Sequence, residues 1–243
     1  MKNDPSGPVV IPKYHRKFLW FKSRHLWLFT TLMLYLLMVP LIEQILPRTR
    51  AILDLFILLV LVAAAYTVIN RKRTFIIALL MLMAGLVFLF GDYHWHDNKI
   101  LILSCISYVG FLGIVIASIL REVLTLKEVS FDTISGALNG YLLMGLMWGF
   151  AFQAVEAAWP GSFNITNEAT KVAGLYAHGT QMPELFYFSF VTITTTGYGD
   201  VTPLSAIAGQ LAITESVVGQ FYMVVLVARL VSLQTMGAKK KDR

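Results

Sequence analysis

The chain has 243 residues, of which 57% are hydrophobic and only 14% are charged, and its mean hydropathy is +0.67. A soluble domain of this size needs far more charged residues to cover its surface, so the composition excludes an ordinary soluble protein and indicates an integral membrane protein. The formal net charge of +6 could suggest a nucleic-acid partner. The positions of the basic residues favour a membrane instead, and we expect no nucleic-acid binding.

Six long apolar segments follow a basic N-terminal arm at residues 1–25. Each is close to the ~20 residues that a helix needs to cross the hydrocarbon core. We predict spans at residues 26–46, 51–69, 74–90, 100–120, 133–155 and 204–233. Residues 185–196 are also apolar but too few to cross, and they end at glycines, which is typical of a re-entrant segment. The predicted fold is an all-α integral membrane protein with six transmembrane helices and one re-entrant loop.

The lysine and arginine residues predict the orientation of the chain. If the N-terminus is cytoplasmic and the spans alternate, sixteen of these residues lie on the inner side and four on the outer side. Cytoplasmic loops are enriched in Lys and Arg, so both termini are expected in the cytoplasm. The expected location is the cell membrane, which in a prokaryote is the inner membrane. Its basic inner face is a candidate contact for anionic lipid.

The first four spans, within residues 26–120, lack the charges of a voltage sensor. A sensor needs several Arg or Lys at three-residue spacing, because each charge moved contributes ~2.3 kcal/mol per 100 mV. The fourth predicted span contains none, which leaves a degenerate sensor and an unrelated four-helix bundle as alternatives. After the third span, Asp92, His94, His96 and Asp97 suggest an external metal or proton site on the two histidines. A plain solvated loop is the alternative there.

Residues 121–132 join this four-helix module to a second unit at residues 133–233. Apolar residues alternate with charges in the linker, which predicts an amphipathic helix on the inner membrane surface, with a solvated linker as the alternative. Residues 234–243 form a short basic tail that we expect in the cytoplasm.

The segment Thr195-Thr196-Gly197-Tyr198-Gly199, which we call the filter segment, carries the chemistry. A dehydrated monovalent cation needs rings of oxygens in place of its water shell, and backbone carbonyls from several identical chains can supply them. Successive carbonyls point to one side only if glycines allow positive φ. The Thr195 hydroxyl would add an inner oxygen ring. A short helix after Pro183, with Glu184 in its first turn, would direct its C-terminal partial negative charge at the ion.

These residues resemble the potassium-channel signature Thr-x-Gly-Tyr-Gly-Asp, and residues 133–233 are similar to the two-span pore domain of prokaryotic potassium channels. The resemblance implies passive K⁺ conduction, with K⁺ held at Thr195, Thr196, Gly197 and Tyr198. It implies no enzyme activity and no cofactor besides bound K⁺. One filter segment cannot surround an ion, so we expect a homotetramer. A non-selective monovalent cation channel and a non-conducting sensor or regulatory subunit are the alternatives.

Most members of this family have Val or Ile at the position of Thr196, so the extra hydroxyl must find a partner. Val191 stands where some bacterial channels carry a Glu bonded to the Asp at the end of the filter. Asp200 is therefore expected to be held by Tyr187 or by no side chain.

The last span contains further residues to which the resemblance assigns roles. Gly219 is expected to be a hinge or a site of close helix packing. Four residues on one helical face are expected to line the cavity: Ser216, Gln220, Met223 and Val227. Glu215 is an ionisable residue inside a span, and it is expected to be a strut behind the filter or a protonatable modulator.

Overall fold

The computed structural model describes residues 24–45, 50–95, 97–125, 131–165 and 183–241. In these residues the chain forms seven α-helices and one two-stranded sheet. The helices are α1 (Arg24–Ile45), α2 (Arg50–Thr67), α3 (Lys72–Trp95), α4 (Asn98–Thr125), α5 (Phe131–Ala158), α6 (Pro183–Ile193) and α7 (Ala206–Lys241). The strands are β1 (Phe163–Ile165) and β2 (Val201–Pro203).

Each of the six predicted spans overlaps a helix among the described residues, and α6 begins at Pro183, two residues before the predicted re-entrant segment. Four helices contain stretches that are long and apolar enough to cross a membrane: Lys72–Asp92, Asn98–Thr125, Asp132–Ala158 and Ala206–Ser232. In the described parts of α1 and α2 the apolar stretches are shorter, Arg24–Met38 and Leu55–Thr67. The chain is therefore a multi-pass membrane protein with a predominantly helical fold.

Three predicted boundaries differ from the structure because helical hydrogen bonding continues after the apolar pattern ends. Helix α3 runs to Trp95 and includes most of the predicted outer loop. Helix α4 runs to Thr125, so residues 121–125 of the predicted linker extend this helix, while residues 126–130 lie outside the described residues. Helix α7 runs to Lys241 through most of the predicted tail, where Gln, Met, Ala and Lys are good helix formers.

Helix α5 lies at the centre of the molecule, in contact with α1, α4, α6 and α7. Three aromatic rings link the first four helices to α6. The ring centroids of Tyr108 on α4 and Phe150 on α5 are 4.9 Å apart, and those of Phe150 and Phe186 on α6 are also 4.9 Å apart. Such contacts contribute about 0.5–1.5 kcal/mol each beyond their area burial. The four-helix module therefore packs against the helices that position the filter segment.

A polar cluster ties the start of α1 to three other helices. The Arg24 guanidinium donates to Glu122 Oε1 at 2.8 Å and to the Thr67 carbonyl at 3.1 Å. The Asn139 amide donates to the His25 carbonyl at 2.6 Å. These contacts join α1 to the ends of α2 and α4 and to α5, so they help to hold the first module against the second.

Candidate functional site

The filter segment lies between the end of α6 and β2, and its side chains are exposed in the single chain. Its backbone alternates: φ is positive at Thr195 (59°), Gly197 (61°) and Gly199 (80°). Glycine adopts this conformation freely, whereas a threonine there is strained by about 1–3 kcal/mol. The two glycines therefore lie at positions that require them. Strain at Thr195 was not predicted from the sequence.

The end of α6 holds the inner part of the filter segment through backbone hydrogen bonds. The Val191 carbonyl accepts from Thr196 N at 2.9 Å and from Gly197 N at 3.4 Å, and the Thr192 carbonyl accepts from Thr195 N at 2.9 Å. Val191 thus contacts the segment through its carbonyl. By contrast, the carbonyl oxygens of residues 195–199 accept no hydrogen bond from any described residue. They remain available to another electropositive partner.

The additional hydroxyl of Thr196 has a local partner. Its Oγ1 lies 2.9 Å from Thr194 Oγ1, and Thr194 Oγ1 also donates to the Phe190 carbonyl at 2.6 Å. A hydroxyl can donate one hydrogen bond and accept others, so both groups are satisfied in a short chain. The additional hydroxyl of Thr196 is therefore hydrogen-bonded.

A side-chain hydrogen bond holds the outer end of the filter segment. The Tyr187 hydroxyl on α6 donates to Asp200 Oδ2 at 2.8 Å, and Asp200 Oδ1 accepts from Val201 N at 3.0 Å. Desolvation and the hydrogen bond to the Asp200 carboxylate raise the pKa of Tyr187 to about 12, so its phenol remains a donor at neutral pH. Of the two arrangements expected for Asp200, the structure contains the one with Tyr187.

The small sheet anchors the chain that follows the filter segment. Strands β1 and β2 are antiparallel, with Phe163 opposite Pro203 and Ile165 opposite Val201. Both oxygens of Glu156 accept backbone hydrogen bonds at the start of β1, from Gly161 N at 2.7 Å and Phe163 N at 3.1 Å. The sheet adds a short β element to the helical fold and was not predicted, because three-residue strands have no recognisable periodicity.

Behind the filter segment, polar contacts join α5, α6 and α7. The Tyr141 hydroxyl on α5 donates to the Ile193 carbonyl, the last residue of α6, at 2.8 Å. Glu215 is fully buried, and its Oε1 lies 2.5 Å from Ser189 Oγ. The Tyr222 hydroxyl on α7 donates to the Ala137 carbonyl at 2.7 Å. The first two contacts brace α6, the helix that ends at the filter segment, and the third joins α7 to α5.

Helix α7 presents one face to the rest of its own chain. The buried residues of this face recur at helical spacing: Glu215, Gly219, Tyr222 and Leu226. Each residue of the predicted cavity set immediately follows one of them: Ser216, Gln220, Met223 and Val227. One residue turns about 100° around a helix, so the cavity set lies on an adjoining, more exposed face. Ser216 Oγ bonds back to the Ala212 carbonyl at 3.1 Å.

Gly219 lies where α7 approaches the end of α6. A Cβ added there would lie 2.5 Å from Ile193 Cγ1 and 3.3 Å from the Ile193 carbonyl oxygen. Of the two roles expected for Gly219, close packing thus has a specific contact. Its role as a hinge remains a prediction.

The proposed external histidine site is only partly within the described residues. His94 is exposed at the end of α3 and stacks on Phe90, with ring centroids 6.4 Å apart. Asp92 is 2% exposed, so its carboxylate does not share the solvent-facing position of His94. His96 lies outside the described residues. No group of three metal-binding side chains occurs among the residues that the structure describes.

Sequence reasoning did not identify four residues that support this site: Glu156, Tyr141, Ser189 and Tyr222. Each is a polar side chain within an otherwise apolar helix, which is a usable signal. The partners of Tyr141, Ser189 and Tyr222 are distant in sequence, so only the packed helices reveal them. Glu156 instead accepts from backbone N–H groups a few residues further along the chain.

Residues 141–235 match a protein family described as "Ion channel". This region includes most of α5, all of α6, the filter segment and most of α7. The chain is also similar to Protein LctB of Bacillus caldotenax, with 28% identity over 130 residues, which are 50% of this chain and 93% of that protein. No solved structure matches the chain. Residues 141–235 are therefore similar to an ion channel family, and they lie within a multi-pass membrane protein.

Proposed function

We propose that the protein is the subunit of a potassium-selective channel that conducts K⁺ passively across the cell membrane. The observation that carries the proposal is the positive φ at alternate residues 195, 197 and 199. An extended strand points successive carbonyls to opposite sides, whereas this alternation turns them toward one side. The carbonyls of Thr195, Thr196, Gly197 and Tyr198, with the Thr195 hydroxyl, then replace the water around K⁺.

The hydrogen bonds around the filter segment support this proposal. The N–H groups at its inner end bond to α6, and Asp200 at its outer end bonds to Tyr187. The carbonyls in between accept no hydrogen bond from the described residues. A segment that is held at both ends, with its carbonyls available, is suited to bind a dehydrated cation.

The assembly that we propose is a homotetramer, because each chain supplies one column of carbonyls. Exposed apolar side chains on α7, such as Phe221 (67%) and Val224 (66%), are available to contact neighbouring subunits or lipid. We also propose six spans with both termini in the cytoplasm, since this arrangement places sixteen of the twenty Lys and Arg residues inside.

Ion flux into liposomes tests the selectivity. The purified protein should pass K⁺ and Rb⁺ well and Na⁺ poorly. Gly197→Ala should abolish flux, because φ is 61° at Gly197 and a Cβ is disfavoured there by about 1–2 kcal/mol per residue. Gly209→Ala on α7 is the matched control, since a Cβ at that position meets nothing within 4 Å. Loss of flux in Gly197→Ala alone would tie conduction to the filter backbone.

Two other outcomes would contradict the proposal. Equal Na⁺ and K⁺ permeability would identify a non-selective cation channel, and no flux from correctly inserted protein would identify a non-conducting subunit. Native mass measurement tests the assembly separately. A dimer as the largest species would contradict a pore built from four filter segments.

A further inference from the structure

The buried carboxyl group of Glu215 lies in the joint between α5, α6 and α7, next to Ser189 and Gly145. Glu215 and Ser189 are both 0% exposed within a single chain. Glu215 Oε1 is 2.5 Å from Ser189 Oγ, and the same Ser189 Oγ is 2.6 Å from the Gly145 carbonyl oxygen. One hydroxyl therefore contacts two oxygens, one from α7 and one from α5.

The two contacts of Ser189 Oγ need two hydrogen atoms. A serine hydroxyl has one hydrogen to donate, and a backbone carbonyl has none. If Glu215 were ionised, both neighbours of Ser189 Oγ would be acceptors, and one of the two short contacts would lack a hydrogen. If Glu215 is protonated, its O–H donates to Ser189 Oγ, and the Ser189 hydroxyl donates to Gly145. Every contact then has its hydrogen.

Within the part of the chain that the structure describes, no ion pair compensates Glu215. Its second oxygen, Oε2, is buried and has no hydrogen-bond partner in the described chain. The salt bridges at the start of α1 involve Arg24, His25 and Glu122 and do not include Glu215. From α6 the group that faces Glu215 is Ser189, and from α5 the titratable group that interacts with it is the Tyr141 phenol, an uncharged donor to the Ile193 carbonyl. Burial of an isolated carboxylate is unfavourable, so such a group takes up a proton and becomes neutral.

We infer that Glu215 carries a proton in the folded protein and donates it to Ser189, so that a neutral hydrogen-bonded chain joins α7 to α6 and α5. Ser189 lies one helical turn before Ile193, at the end of α6. Ile193 in turn accepts from Tyr141 at 2.8 Å. Glu215 thus acts as a positioning residue for the helix that ends at the filter segment.

This arrangement predicts that alkaline pH weakens the joint. Removal of the proton would place a charge in an apolar interior and would leave two acceptors facing the Ser189 hydroxyl. The stabilisation is present while the carboxyl is protonated and is lost as pH rises. The consequence for ion flux rests on the proposed function, whereas the protonation itself does not.

Infrared spectroscopy of the protein in lipid tests the protonation directly. At neutral pH the wild type should show the carbonyl band of a protonated carboxylic acid, and this band should be absent in Glu215→Gln. Ser189→Ala should shift the band, since the acid loses its acceptor. Glu156→Gln is the matched control, because both Glu156 oxygens accept backbone N–H groups and no proton is needed there. An unchanged band in Glu215→Gln, or no band in the wild type, would overturn the inference.

Flux measurements at rising pH test the consequence. Gln keeps an N–H donor at position 215 and cannot titrate, so Glu215→Gln should conduct at neutral pH and should keep its flux at alkaline pH. The wild type should lose most of its flux under the same alkaline conditions and should recover it on return to neutral pH. Parallel loss in both proteins would overturn the alkaline effect. The infrared band without any K⁺ flux would refute the proposed function and leave the protonated joint standing.

Discussion

Substitution of Gly219 by alanine separates the two roles expected for this glycine. The added methyl group would lie 2.5 Å from Ile193 Cγ1 and 3.3 Å from the Ile193 carbonyl oxygen. The Cγ1 atom belongs to a β-branched side chain that is 1% exposed and restricted at χ1, and the carbonyl belongs to the backbone. Neither atom can move away easily. We therefore expect Gly219→Ala to destabilise the contact between α6 and α7.

The magnitude follows from a comparison with Gly209→Ala on the same helix, where the new methyl group meets nothing within 4 Å. Both substitutions remove a helix glycine and gain about 0.5–1 kcal/mol in helix propensity. Overpacking at Gly219 costs about 1–3 kcal/mol. Because the propensity gain cancels between the two variants, Gly219→Ala should be less stable than Gly209→Ala by this overpacking cost.

Thermal unfolding of the purified protein in detergent measures the difference. A difference of 1 kcal/mol corresponds to about 2–4 °C in Tm for a chain of this size. Ile193→Ala should partly rescue Gly219→Ala, since the new methyl group fills space vacated by the isoleucine. The double variant should lose less stability than the sum of the two single losses, by at least about 0.5 kcal/mol. Equal stability of the two alanine variants, with altered channel opening in Gly219→Ala alone, would refute the packing argument and favour a hinge.

Three further predictions concern other contacts. Tyr187→Phe removes the donor to Asp200, a bond with a typical net contribution of about 0.5–1.5 kcal/mol, and should shorten openings in single-channel records; unchanged open times would contradict this. Glu122→Gln removes the ion pair with Arg24. The Glu122 side chain is 28% exposed and that of Arg24 is 24% exposed, so the free energy of unfolding should fall by at most about 1 kcal/mol in the same assay. Open probability should depend weakly on voltage, because α4 has no Lys or Arg between Lys99 and Arg121 and steep gating takes roughly 3–4 charges per subunit. A conductance–voltage curve with an effective valence above about two, unchanged in Rb⁺, would show that other charges move.

The membrane class and the helices that overlap the predicted spans were predictable from local features of the sequence. Spans are visible because transfer of about 20 apolar residues into hydrocarbon is a local property of the segment. The requirement for Gly197 and Gly199 is also local, since positive φ depends on the absence of a Cβ at that residue. The start of α6 was predictable because proline and an acidic residue in the first turn are local features of helix N-termini.

Helix ends and the small sheet were less predictable. The ends of α3, α4 and α7 depend on backbone hydrogen bonds that continue beyond the apolar pattern. Strands β1 and β2 pair although one precedes and the other follows the filter segment in the chain, with Asn164 opposite Thr202. Such a pairing of distant segments has no local sequence signal.

The pairing of the polar side chains on α5, α6 and α7 depends on how these helices pack. Ser189 and Glu215 are 26 residues apart, Tyr141 and Ile193 are 52 apart, and Tyr222 and Ala137 are 85 apart. No local pattern encodes such pairs, since they arise when helices pack at a particular rotation and depth. From the sequence, Glu215 was compatible with a strut or with a modulator. The packed helices bury its carboxyl group against Ser189, and no described residue forms an ion pair with it. This burial favours the protonated form of the carboxyl group.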